Sequence, residues 1–317
     1  MEREYEISID PLNTLCEQKS SWGGLWTEKK LNAFEKYVRA YLTIMNKHRD
    51  EYHWRLLYYD GFAGSGSRSN DIASKENPMS DLFKDQLLDE SELNVYQGAA
   101  ERVVRLSTKT RGFDYYYFVD CQEENCALLK ERLTTYSIPG AMTFIQGDAN
   151  DNIDKLAQIL KADSHLKALV LLDPFGMSIS WETIEKLPRK SIDLWILLPS
   201  GVIINRLLKR DGKLLNPAAL ERFFGLTEEQ IHAWFYERET APSLFPDMEN
   251  VFVKKGNSVQ RIAELYCQRL GTIFENVTSE PLVMRNNRGF PIFHFVFASS
   301  NKTAMRIAQD IIDKDKK

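Results

Sequence analysis

Five short apolar runs constrain this chain most, because each stops abruptly on an aspartate, a glycine or a proline. They are RLLYYDGFAGSG from Arg55, DYYYFVD from Asp114, AMTFIQGD from Ala141, LKALVLLD from Leu166 and IDLWILLPSG from Ile192. Runs this short and this continuously apolar fit strands covered on both faces, as a parallel sheet requires. Between them lie helical patterns. Leu31, Phe34, Val38, Leu42 and Met45 mark a helix over 26–48, with Thr27 expected as its N-cap. Further helices are expected through Cys126, Leu129 and Leu133, over 151–162, and from near Ser180. Strands alternating with helices imply an α/β fold with helices on both faces of a mostly parallel sheet, and such sheets bind ligands outside the carboxyl ends of their strands. Asp60, Asp120, Asp148 and Asp173 all fall at or just past that edge. One such acid is ordinary turn chemistry; four at corresponding ends carry a functional inference.

The remaining chain is less regular. Residues 1–50 are expected as an N-terminal helical segment. Residues 51–317 are expected as the α/β domain, with insertions at about 68–112 and 205–250. The first insertion reads as helices near 78–90 and 92–109, and the second contains NPAALERFFGLTEEQIHAWFYE, which reads as two helices. A helix over about 256–271, strands at 280–284 and 291–298 around an NNRG turn, and a final helix from Lys302 complete the expectation. The net charge of −4 argues against a nucleic-acid-coating surface but permits a local basic strip. The start, MEREYEISIDPLNTL, lacks a signal-peptide pattern, and no apolar run approaches the roughly 20 residues of a membrane helix, so a cytoplasmic location without membrane contact is expected. Cys16, Cys121, Cys126 and Cys267 form no CxxC pair and read as reduced thiols, with no metal site expected.

Gly64-Ser65-Gly66 lets backbone approach a ligand closely. The dinucleotide fingerprint fails because Ser69 stands where its third glycine belongs, and no GK[ST] follows for a phosphate loop. A cofactor with an amino-acid tail, such as S-adenosylmethionine, needs neither. Asp60 then meets that cofactor's amino group or orders the loop. Asp120 accepts from ribose hydroxyls or caps the next helix, and Asp148 meets adenine or caps its own. Phe62, Ala63, Cys121, Gly147 and Ala149 line the same expected site. In Asp173-Pro174-Phe175-Gly176, a carboxylate and a proline-fixed carbonyl suit an exocyclic amine, and Phe175 either stacks on a base or fills the core. Arg102, Arg105, Lys109 and Arg111 form a basic run that contacts phosphates or is a solvated helix face. Cys121, beside Asp120, is too far from the fourth strand to act as a base-attacking nucleophile.

YYDGFAGSG resembles the first motif of class I S-adenosylmethionine-dependent methyltransferases, and LLDPFG their strand-four motif, near the DPPY of amino-methylating enzymes. The ordered set WTEKK…YV, YYDGFAGSG, NPMSDLF, QGDAN, LLDPFGMSISWETI, IDLWILLPSG and FHFVFASSNKTAMRIAQDII resembles the three-Cys-motif partner protein family over about residues 22–312. That resemblance implies a Rossmann-like class I methyltransferase fold, with a mostly parallel seven-stranded sheet, an antiparallel C-terminal hairpin strand and helical insertions. It implies Gly64 and Gly66 at the cofactor, Asp120 at ribose, Asp148 near adenine, Asp173 on the reactive face, and Thr27 and Lys30 as substrate-side residues. Departures are Ser65 for proline, Asn77-Pro78 for Gly-Ser-Pro, and DPFG for DPPY. The expected function is S-adenosylmethionine-dependent N-methylation of a nucleobase in RNA or DNA. The alternative is a non-catalytic S-adenosylmethionine- or nucleotide-binding subunit serving another enzyme or a defence-type module, with a protein partner encoded nearby. The loss of the second proline in DPFG keeps that alternative in play.

Overall fold

The computed structural model describes residues 25–66, 98–239 and 251–315. The helix expected near 78–90 lies outside them, as does Cys16. The five parallel strands are β1 (Arg55–Asp60), β2 (Tyr115–Asp120), β3 (Ala141–Gln146), β4 (Leu166–Leu172) and β5 (Ile192–Leu198). Their spatial order is β3-β2-β1-β4-β5. The glycine-bearing strand is therefore central, with Tyr59 registered between Tyr117 of β2 and Val170 of β4. Beyond β5 lies β10 (Pro291–Ser299), antiparallel to it, and the outer edge of β10 pairs with β9 (Leu282–Arg285) and the two-residue β8 (Asn276–Val277). The expected antiparallel C-terminal hairpin is thus present. The sheet has eight strands rather than seven, because β8 is too short to carry a period a sequence could reveal.

Side chains alternate between two cores. Leu56, Tyr58, Phe118, Leu169, Leu171, Trp195 and Phe295 face the helices α1 (Leu25–His48), α2 (Ala99–Ser107), α3 (Glu123–Leu133) and the C-terminal Lys302–Asp315. Leu57, Tyr59, Val170, Leu172, Leu194 and Ile196 face α4 (Ala149–Ala162), α5 (Trp181–Lys186), α6 (Pro217–Phe224), α7 (Glu228–Phe235) and α8 (Ser258–Leu270). Burial on both faces explains why the strands read as unbroken apolar runs.

Local signals set most helix starts. Asp148 caps α4, Ser180 caps α5, and Thr227 with Gln230 forms a capping box on α7. Thr27 does not cap α1: the described helix already includes Leu25, which puts Thr27 in its first turn. The helix expected over 92–109 is the shorter α2, which Gly98 precedes. A two-stranded ribbon, β6 (Tyr236–Glu239) with β7 (Val251–Lys254), also went unanticipated. No helix among the described residues is long and apolar enough to cross a membrane.

Candidate functional site at the carboxyl edge

The four acids meet this edge as expected, and the structure shows what holds each one. Asp60 ends β1 and is buried; Tyr58 Oη donates to its Oδ2 at 3.0 Å and the Phe62 amide to its Oδ1 at 3.2 Å. Burial pushes its carboxyl up to about 7, and nearby Asp173 adds to the rise. The Phe62 and Tyr58 donors and the Lys30 ammonium oppose it.

Asp120 ends β2 and works as a clamp between loops. Its Oδ2 accepts from the Gly64 amide at 3.0 Å, while its Oδ1 accepts from the Gln122 amide at 2.9 Å and Asn125 Nδ2 at 3.0 Å. A carboxylate has about four acceptor positions, so the remaining acceptor capacity of Asp120 lies chiefly on Oδ2. The Ala63 amide is tied to the Val119 carbonyl at 2.9 Å, which locks the glycine loop to β2. Gly64 has φ +58°, and a β-carbon there would meet no atom of the described residues within 4 Å, so among them the backbone faces open space. Gly66, at φ +86°, is different: a β-carbon would strike Leu129 Cδ1 at 2.5 Å, so this glycine serves packing against α3. Phe62 is half-buried against the α4-side core.

Across the third loop, the Gly147 amide donates to the Asp120 carbonyl at 3.0 Å, and Cys121 is half-buried beside it. Asp148 Oδ1 is occupied by the Asn150 amide at 2.7 Å and the Asp151 amide at 3.4 Å, so this acid caps its helix. Ala149 packs its methyl into the core.

The fourth loop holds the reactive-looking group. Asp173 is partly exposed, and its Oδ2 is ion-paired with Lys30 Nζ, whose side chain is almost wholly buried. Pro174 is buried, and Phe175 points outward, 57% exposed, so it does not fill the core. Lys30 reaches this edge from the first turns of α1, where Trp26 stacks on Phe293 with ring centroids 4.8 Å apart. Thr27 Oγ1 is buried there without a hydrogen-bond partner.

Two arginines of the basic run, Arg102 and Arg111, are engaged by acids. Arg102 is buried, its Nη2 bonding both oxygens of Glu28 at 2.6 and 2.7 Å and its Nη1 bonding Asn32 at 2.8 Å. It fastens α2 to α1 and has no donor face to offer a phosphate. Arg105 lies three residues further along a helix running away from the edge, about 4.5 Å deeper. Arg111 pairs with Asp50 at the opposite end of the sheet.

Sequence reasoning missed two features near β5. After the strand the chain forms a π-helical turn over Ser200–Ile204, a geometry that often marks functional sites. Ser200 Oγ lies 2.7 Å from Nδ1 of the buried His294. Burial, with Arg285 adding to it, pushes that imidazole down to about 4. Nothing local in PIFHFVFAS signals this pairing. Among the described residues, no group of three or more His, Cys, Asp or Glu side chains is arranged to hold a metal ion.

Fold and edge together define a Rossmann-like α/β protein with a mostly parallel sheet, an antiparallel strand on its C-terminal side, and its glycine- and aspartate-bearing loops gathered at one sheet edge. No family model and no curated protein matches the chain. Among solved structures it is similar to a Legionella pneumophila protein, LPL1258 of family DUF519, at 12% identity and TM-score 0.44 over 90% of this chain and 91% of that one. It is also similar to Trm1 from Pyrococcus horikoshii in complex with S-adenosyl-L-methionine, at 11% identity and TM-score 0.37 over 89% and 58% of the two chains. A third similar structure is the methyltransferase domain of bacterial CtHen1, at 8% identity and TM-score 0.29 over 85% of this chain and all of that one. At such identities and scores, the functional reading rests on this chain's own residues.

Proposed function

We propose that the chain is an S-adenosylmethionine-dependent methyltransferase acting on an amino nitrogen of a nucleobase in RNA or DNA. One observation carries the reading. The Asp120-clamped Gly64 backbone faces open space at the same edge as the accessible carboxylate of Asp173 and the exposed ring of Phe175. When bound, the cofactor supplies a methyl group on a sulfonium whose sulfur leaves as a neutral thioether. The residues need only bind and align. Asp120 Oδ2 and the Gly64 backbone hold the nucleoside and methionine ends, with Asp60 behind them as a buried partner to the amino group. Asp173 accepts an N–H of the target amine through Oδ1 while Lys30 keeps its other oxygen neutralised. Phe175 offers its face to the base.

Lys30 also favours a second reading. Its ammonium already occupies Oδ2 of Asp173, which leaves a target amine only Oδ1. That arrangement equally suits a cofactor-binding subunit that transfers no methyl group itself and acts with a protein partner. The deciding experiment incubates the protein with methyl-labelled S-adenosylmethionine and total RNA, genomic DNA or synthetic oligonucleotides. Label in nucleic acid, lost in Asp173→Ala, supports the enzyme. Cofactor binding without transfer to any pool supports the subunit.

A further inference from the structure

The chain exposes seven large apolar side chains among its described residues, and the two most exposed are Phe290, at 69%, and Phe175, at 57%. Both lie at the carboxyl edge. Phe290 ends the β9–β10 turn just before Pro291, and β10 runs antiparallel to β5, so the start of β10 lies beyond the carboxyl end of β5. The loops between the two rings touch. A β-carbon on Gly201 would fall 2.1 Å from the Pro291 carbonyl oxygen, and one on Gly176 would fall 3.3 Å from Ile203 Cδ1. The loop after β4, the π-helical turn after β5 and the hairpin tip are therefore contiguous.

The tip is held rigid by its own residues. Asn286 Oδ1 accepts from the Arg288 amide at 3.1 Å and the Phe290 amide at 2.9 Å, and the Asn286 amide donates to the Phe290 carbonyl at 2.9 Å. Arg285 Nη1 donates to the Gly289 carbonyl at 2.8 Å, and Gly289 supplies the positive φ of +77° the turn requires. An exposed ring on a braced turn is presented outward rather than left loose. Arg285 and Arg288 are exposed on the same tip, in a protein whose overall charge is −4.

We infer that the β9–β10 hairpin tip is a binding site for single-stranded nucleic acid, with Phe290 and Phe175 stacking successive or neighbouring bases and Arg285 and Arg288 contacting phosphates. This rests on the nucleobase reading above and adds the strandedness of its substrate and the residues that hold it. A stacking platform with two cations fits a single strand, whose bases are free to leave the stack. A duplex presents only edges and backbone to such a tip. The same inference replaces the phosphate role expected of Arg102, which is committed to Glu28.

The test measures fluorescence anisotropy of labelled 12-nucleotide RNA and DNA single strands and of the matching duplexes. It uses wild type, Phe290→Ala and an Arg285→Glu/Arg288→Glu double variant. Calorimetric titration with S-adenosylmethionine and a thermal melt are run on each. The expected result is wild-type binding of one or both single strands, weakened about tenfold or more by Phe290→Ala. The double variant loses affinity and flattens the salt dependence by about 1 to 2 in slope. Cofactor affinity stays at the wild-type value in both, and Phe290→Ala melts as wild type does. Unchanged oligonucleotide binding in both variants, tighter binding of duplex than of single strands, or no oligonucleotide binding by a wild type that binds the cofactor overturns the inference. Failure to bind the cofactor overturns the methyltransferase reading separately.

Discussion

At the amino ends of the strands, acids are matched by arginines. Buried Arg49 pairs with Asp114 and donates to the Gly112 carbonyl at 2.8 Å, Arg55 pairs with Asp163, and Arg111 forks onto Asp50 at 2.8 Å. At the carboxyl ends, backbone amides and neutral side chains hold Asp60, Asp120 and Asp148, and among the described residues only Asp173 of these four forms an ion pair. The first arrangement cancels charge and fastens elements together. The second keeps carboxyl groups at an opening of the fold, where amides shape the loops and leave acceptor capacity in place. One edge is scaffold, and the other is chemistry.

Substitutions can break that contrast. The largest effect is expected from Asp120→Ala. Hydrogen bonds to a charged group are worth about 1.5–3 kcal/mol each, and this clamp also positions Gly64. S-adenosylmethionine affinity should fall by about 100-fold or more in a calorimetric titration.

Next is Arg49→Ala at the scaffold edge. Breaking a buried pair costs about 3–5 kcal/mol, and the partial exposure of Asp114 reduces this to about 2–3 kcal/mol. Chemical denaturation should show that loss, while the folded variant binds cofactor as wild type does.

A third test separates two buried titrating groups of opposite sign. Folded Asp60 keeps its proton up to about 7, well above the ordinary carboxylate range. Its contribution is complete below about pH 4 and is lost as pH rises through about 7. Folded His294 takes its proton only near 4, so its contribution is complete above about pH 6.5 and is lost as pH falls toward 4. Asp60→Asn should therefore compare better with wild type at pH 8 than at pH 5. His294→Gln should compare better at pH 4.5 than at pH 7.5. Urea denaturation across that range checks both, and a flat difference for either removes that group from the account.

The smallest stability effect is expected from Gly64→Ala. Its left-handed backbone costs an alanine about 1–2 kcal/mol, but its β-carbon meets no atom of the described residues within 4 Å. The affinity loss for S-adenosylmethionine should exceed the loss in stability. Equal losses would mean that the opening at Gly64 is incidental.

Much of the chemistry edge was legible because strand ends are. The bounds of β3, β4 and β5 fall at the residues where apolar runs give way to polar ones. A strand buried on both faces loses its apolar character abruptly when it leaves the sheet. Arg102 was misread because its partners lie about 70 residues earlier. Yet Glu28, Asn32 and Glu35 follow helical spacing on α1, a polar stripe flanking the apolar one that calls for a cation. Thr27 was misplaced because a cap depends on where the helix begins, and composition locates that poorly. The pairing of Lys30 with Asp173 and of Ser200 with His294, and the placing of Phe290 and Phe175 on one sheet edge, are products of topology. No local pattern encodes contacts across 90 or more residues.

The measurement that tests the central claim most directly is calorimetric titration of the full chain with S-adenosylmethionine, NADH and ATP, repeated on Asp120→Ala and on Arg111→Ala. Arg111 lies at the scaffold edge. The account predicts micromolar binding of S-adenosylmethionine alone, abolished by Asp120→Ala and untouched by Arg111→Ala. Absence of binding to wild type, or equal binding by the Asp120→Ala variant, would contradict it and leave the glycine-lined edge an architectural feature.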